Sequence, residues 1–152
     1  MEPISKWIST LHRYGNIYKE RSFQAWGLGS GQLLYLFHLY KQDGVTQESL
    51  SQQVCIDKAT TARAIGKLEQ LGFVSRHQCR KDRRQNLVYL TDKAHELKPV
   101  IIEKMTLWNE VLTSGLSEEE KLLLVKLLDK MSSNATHHIK GEERQHHETD
   151  QA

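Results

Sequence analysis

Apolar positions return every three to four residues through most of this chain, the period of helices that bury one face. From Pro3 to about Phe23 they are Ile4, Trp7, Ile8, Leu11, Tyr14 and Tyr18, with Pro3 placed where a missing N–H does no harm. Gly27-Leu28-Gly29-Ser30-Gly31 interrupts the pattern, and Ser30 is suited to cap the next helix. Gln32 to Lys41 is that helix, with Leu33, Leu34, Phe37 and Tyr40 to bury, and Asp43-Gly44 ends it. Thr46 caps a short helix from Gln47 to Val54, and Asp57 caps a fourth that runs to about Leu71. In the fourth, Ile65, Leu68 and Leu71 share the apolar face, while Lys58, Thr60, Thr61, Arg63, Ala64 and Lys67 are assigned to the other. Gly72 follows where a helix C-cap needs positive φ.

Beyond Gly72 the pattern becomes that of strands. Phe73 to Cys79 and Leu87 to Leu90 are β-prone runs flanking Arg80-Lys81-Asp82-Arg83-Arg84-Gln85-Asn86, which is too charged to bury and too long for a two-residue turn. Thr91 then caps a fifth helix to about Thr113, striped by Leu97, Ile101, Met105, Trp108 and Leu112, and Pro99 within it predicts a bend. Ser117 and Glu120 form a capping box that opens the last helix. Leu122, Val125, Leu128 and Met131 are its stripe, broadened by Leu123, Leu124 and Leu127, more leucine than one small domain covers. That excess, and a long first helix with little to pack on, predict a second copy of the chain as partner. From about His138 the sequence is polar and aperiodic, which predicts a disordered tail.

Charge singles out the middle of the chain. Residues 56–86 carry eight Lys/Arg (58, 63, 67, 76, 80, 81, 83, 84) against three Asp/Glu (57, 69, 82), a net +5. The whole chain nets +2 (21 minus 19), so the remainder nets −3 (13 minus 16). Positive charge gathered on one helix and one hairpin is the footprint of phosphate binding. Helix, short break, helix is the helix-turn-helix pattern, and a basic hairpin after it can reach the neighbouring minor groove. At 152 residues there is room for one domain and a dimerisation arm. No apolar run suits a signal peptide or a membrane span, so cytoplasm is the expected compartment. Two cysteines, Cys55 and Cys79, make no disulfide framework and are expected as small buried hydrophobes.

The string Lys58-x-Thr60-Thr61-x-Arg63, Lys67-Leu68-Glu69-x-Leu71-Gly72-Phe73-Val74-x-Arg76, Asp82-x-Arg84 and Leu90-Thr91 resembles the MarR family of bacterial winged-helix regulators. Ala94 departs from it, standing where these proteins often have glycine. The fold expected is mainly α with a small β-hairpin: a winged helix-turn-helix domain (30–91) flanked by N- and C-terminal dimerisation helices (1–25 and 92–137), then the polar tail (138–152).

A dimer would set two reading heads about one helical turn apart, ~34 Å, on a palindromic operator in double-stranded DNA. Thr60, Thr61 and Arg63 are the candidates for base edges, Arg63 for a bidentate guanine contact. Lys58, Lys67 and Arg76 are expected on phosphates, with Thr46 and Gln47 at their helix end. Arg80, Lys81, Arg83 and Arg84 form the wing tip, Arg84 entering the minor groove. By resemblance, Asp82 braces Arg84 rather than binding DNA. The resemblance further implies repression, and a ligand lodged between the winged helix and the dimerisation helices. His12, Tyr35 and His38, with Trp26 and Trp108 near them, would take a small aromatic anion such as a phenolic acid. No cofactor or metal is implied. Rival inputs are a thiol switch at Cys79 or a metal on His137, His138, His146 and His147; a winged-helix module for protein partners is the rival class. No nucleophile elbow, P-loop or paired-acid constellation suggests an enzyme.

Overall fold

The computed structural model describes residues 2–79 and 85–149, with side chains described as far as Ile139. Its helices are α1 (Ile4–Phe23), α2 (Ser30–Lys41), α3 (Gln47–Val54), α4 (Lys58–Gln70), α5 (Asp92–Leu112) and α6 (Glu118–Thr149), with a 3-10 turn at Gln24–Trp26. The strands are β1 (Val45–Thr46), β2 (Val74–Gln78) and β3 (Asn86–Leu90), all antiparallel in the order β1-β3-β2. The expected hairpin is therefore a three-stranded sheet: Val45 pairs with Val88 and Thr46 with Leu87.

The caps behave as the side chains dictate. Thr46 Oγ1 accepts from Ser49 N at 3.0 Å and Asp57 Oδ1 from Thr60 N at 2.8 Å. Ser117 and Glu120 form the reciprocal box, Ser117 N donating to Glu120 Oε2 at 2.7 Å and Glu120 N to Ser117 Oγ at 3.2 Å. At α2 the N-cap is Gly29, one residue before the expected Ser30, because the Gln32 side chain reaches back to Gly29 N at 3.0 Å. α4 closes in a Schellman turn: Gly72 is at φ 77°, and Phe73 N donates to Leu68 O at 2.9 Å. α5 runs on through Pro99. α6 continues to Thr149, past the point where the sequence pattern ends; its polar residues lack a stripe but contain few helix breakers.

Two compact units divide the chain, Met1–Trp108 and Asn109–Ala152. α1 and most of α5 thus lie in one unit with the winged helix. One core fills this unit, built from Phe23, Leu33, Leu36, Leu39, Leu50, Ile65, Leu68, Phe73, Val88 and Ile101 among others, so α4 is seated by the same cluster as α2, α3 and the sheet. Tyr40 ties α2 to α5, its hydroxyl donating to Ala94 O at 2.5 Å, and burial pushes its pKa up to about 12. In the second unit no described side chain of α6 is buried.

The turn after α2 is pinned at Gly44. Its N–H donates to Val88 O at 3.1 Å, while Asp43 Oδ1 accepts from Leu90 N at 2.9 Å. Gly44 has φ +66°, and a Cβ there would lie 2.6 Å from Cε1 of Tyr89. Gly44→Ala is expected to destabilise by about 1–2 kcal/mol from the left-handed backbone alone, with more to swing the Tyr89 ring aside. A thermal melt lowered by several degrees checks this; an unchanged melt would mean the turn relaxes freely.

Candidate nucleic-acid interface

α3 and α4 meet across a short turn, Cys55-Ile56-Asp57. Cys55 adopts the left-handed conformation (φ 54°) to make it, and Ser51 Oγ donates to Ile56 O at 2.6 Å. Cys55 is exposed and Cys79 half-buried, contrary to the expectation that both are buried. The reversal in chain direction at Cys55 turns its side chain away from the core that holds Leu50 and Ile65.

On α4 the structure separates readers from core more sharply than the sequence. Thr61, Ala64, Ile65 and Leu68 are all buried, an i, i+3, i+4, i+7 stripe. Thr61, expected on a base edge, is fully buried, and its hydroxyl hydrogen-bonds the Tyr35 hydroxyl at 3.0 Å. Ala64 moves with it to the inner face. The same pair corrects Tyr35, expected to contact a ligand: its hydroxyl is spent inside the core, where an unpaired one would cost ~1–3 kcal/mol. The outward side presents Ala59, Thr60, Arg63 and Lys67, with Gly66 between them half-exposed. Arg63 Nη2 donates to Thr60 Oγ1 at 2.8 Å, so these two predicted readers are brought together and the guanidinium is braced one turn from the helix start. Asp57 is held below the usual carboxylate range, chiefly by the backbone N–H of Thr60 and then by its hydroxyl. Ala59 and Gly66 were not singled out in the sequence; short residues beside Arg63 on the open face are their signal, since they let a partner's backbone approach closely.

Arg76, expected on phosphate, is instead committed within the protein. Its Nε and Nη2 donate to Glu69 Oε2 at 3.0 and 2.5 Å, and its backbone N to Glu69 Oε1 at 3.2 Å. Those bonds, the guanidinium's first, pull the Glu69 carboxyl below its ordinary pKa. Arg76 therefore braces α4 against β2. Lys58 is 74% exposed and pairs with Glu48 at 2.6 Å. Thr46, Gln47, Glu48 and Lys58 line a cleft of about 150 Å³ together with Gln85 and Asn86 from the base of the wing. This places the amino ends of α3 and α4 beside the hairpin, the juxtaposition a winged reader needs. Arg80, Lys81, Asp82, Arg83 and Arg84 lie outside the described residues.

The expected ligand residues are not brought together. His12 is exposed on α1 and hydrogen-bonds Asn16 at 3.0 Å. His38 Nδ1 donates to Leu34 O of its own helix at 2.9 Å. Trp26 packs tilted on Phe23, ring centroids 6.1 Å apart. Trp108 joins a cleft, of about 370 Å³, with Tyr14, Ile17, Tyr18, Arg21 and Ser22. There its ring stacks on Tyr18 at 4.7 Å, and the Tyr18 hydroxyl donates to Lys104 O at 2.8 Å.

Two short helices joined by a tight turn, the second open to solvent and basic, followed by an antiparallel wing, define a winged helix-turn-helix DNA-binding protein. Residues 28–85 match the model of the MarR family. The chain is 30% identical over 134 residues to the HTH-type transcriptional regulator YybA of Bacillus subtilis, covering 88% of this chain and 89% of that one. It is similar to a MarR transcriptional regulator of Methanosarcina mazei Go1, with TM-score 0.85 and 42% identity over 88% of this chain and 96% of that chain. It is also similar to a MarR-family transcriptional regulator of Listeria monocytogenes solved in complex with 26mer DNA, with TM-score 0.81 and 30% identity over 88% of this chain and 89% of that one. The chain belongs to the MarR family: it is a DNA-binding transcriptional regulator and not an enzyme. Among the described residues no helix is long and apolar enough to cross a membrane.

Proposed function

We propose that the chain works as a homodimeric repressor on an imperfectly palindromic operator and is released by a small aromatic anion. The dimer rests on one observation above all. α6 carries Leu122, Leu123, Val125, Leu127 and Leu128 between 47% and 74% exposed, and no described side chain of that helix is buried. α1 repeats the pattern with Ile4, Trp7, Ile8 and Leu11 at about half exposure. Solvated apolar surface of this extent is what a second subunit removes, at ~25 cal/mol for each Å² covered. With two subunits, each Arg63–Thr60 pair reads one half-site.

Of the five residues the sequence suggested, the effector reading keeps Trp108 and centres on the Tyr18–Trp108 cleft. The stacked rings offer apolar faces, and Arg21 supplies a cation for a carboxylate or phenolate. Retardation of duplexes from the chain's own upstream DNA, at two salt concentrations, tests the operator. The expected result is one dimer per duplex, with affinity falling steeply with salt. A hydroxybenzoate is expected to weaken that complex and to quench tryptophan fluorescence. In Arg21→Ala both responses should vanish while DNA binding persists. Release that survives Arg21→Ala would move the effector elsewhere.

A further inference from the structure

The amino end of α3 is an unusual place for phosphate in one respect: it already carries an anion. Glu48 lies in the first turn of α3, where it offsets the positive end of the helix, and its Oε1 holds Lys58 Nζ at 2.6 Å. Lys58 opens α4, so this ion pair bridges the positioning helix and the recognition helix. The cleft they share is also lined by Thr46, Gln47, Gln85 and Asn86, so side-chain amides and a hydroxyl surround the ion pair. Beside it the Gln47 Oε1 is shielded from solvent and has no hydrogen-bond partner, which leaves that end of α3 richer still in acceptors. A phosphate arriving there finds Lys58 taken and a carboxylate in the way.

We propose that Glu48 is a positioning residue that limits DNA affinity: Lys58 reaches phosphate only by leaving Glu48, so every complex must break this ion pair, irrespective of sequence. The pair is exposed on both sides, 74% and 46%, so the exchange needs only side-chain rotation. The carboxylate left behind takes up a cation from solution, which cancels one of those released from the DNA. Restraining the sequence-independent part of affinity keeps a regulator from being held on random DNA, which vastly outnumbers its operator. Base contacts by Arg63 are untouched by the exchange. The proposal rests on the α3–α4 face being the one that meets DNA.

Three variants test it: Glu48→Gln, Lys58→Met and the two combined. Each is titrated against a random-sequence 26-base-pair duplex and against the tightest duplex selected by the wild type, over a range of salt. Glu48→Gln is isosteric and exposed, so its melting curve is expected to fall by no more than a few degrees, with the charge at the helix start and the ion pair lost. It should bind both duplexes about two- to fivefold more tightly, the range of an exposed ion pair, with the log–log salt slope steeper by up to about 0.9 per subunit. The gain should disappear in the Lys58→Met background, the non-additivity that marks a direct exchange. A gain that persists without Lys58 would make Glu48 a general repulsive charge and overturn the exchange. Weaker binding would mean that the carboxylate positions Lys58 for DNA, and no change would make the pair ornamental; either overturns the proposal. A wild type whose binding to random DNA is indifferent to salt would instead remove the underlying placement of the DNA-binding face.

Discussion

A chain bearing Leu122→Glu together with Leu128→Glu is expected to be a folded monomer that binds a palindromic operator at least about a hundredfold more weakly than the wild type. The magnitude follows from joining two modules. When two reading heads are linked, the second binds at a high effective concentration, and avidity exceeds a single module's affinity by ~10²–10⁴. The folding of the reading head should survive, because the core from Phe23 to Ile101 lies wholly within residues 1–108 and takes nothing from α6. Two carboxylates set into the leucine row would have to be desolvated for a partner to dock, at several kcal/mol each. Sedimentation equilibrium reads the mass, a thermal melt the fold, and retardation of full and half operators the affinity. On a half-site duplex the variant and the wild type should bind alike. A variant that remains a dimer with full affinity would place the interface elsewhere.

Most of the local structure was legible because local chemistry writes it. Asp57, Thr46 and the Ser117–Glu120 box each satisfy N–H groups a few residues away, so the helix starts could be read directly. What stayed hidden depends on residues distant in sequence. Val45–Thr46 is too short to announce a strand; it is one only because β3, some forty residues later, offers it a ladder. Thr61 looked like a reader because it is polar, and its partner Tyr35 lies 26 residues away. The stripe of 61, 64, 65 and 68 was nonetheless present in the sequence, and periodicity was the better guide there than polarity. Arg76 looked free for the same reason, since Glu69 reaches it only after the chain reverses at Gly72. Aromatic and histidine side chains on inner helix faces are ambiguous in a different way. The same residue types serve as core and as ligand contacts, and only the fold shows that Trp108 meets Tyr18 and Arg21 while Tyr35 is sealed.

The second large effect is expected at Arg63, on the proposal that it carries sequence recognition. Among the residues first assigned to base edges, Thr61 is withdrawn into the core, which leaves Thr60 and Arg63 on the open face of α4. The Thr60 hydroxyl already accepts from Arg63 Nη2 at 2.8 Å, so it serves first to aim the guanidinium. An arginine so held loses less rotamer freedom on binding, and its remaining N–H groups suit the O6 and N7 of a guanine. Arg63→Ala should therefore cost the operator complex ~1–3 kcal/mol, about five- to 150-fold in affinity. Random DNA, which offers no fixed guanine, should lose far less. Lysine at this position should not restore selectivity, because it cannot reproduce the planar fork. Thr60→Val, which keeps the guanidinium but removes its brace, should fall between wild type and Arg63→Ala. Competition titrations of operator against random duplex measure the ratio directly. If Arg63→Ala weakened both duplexes equally, Arg63 would be a phosphate contact, and sequence readout would have to come from another element than α4.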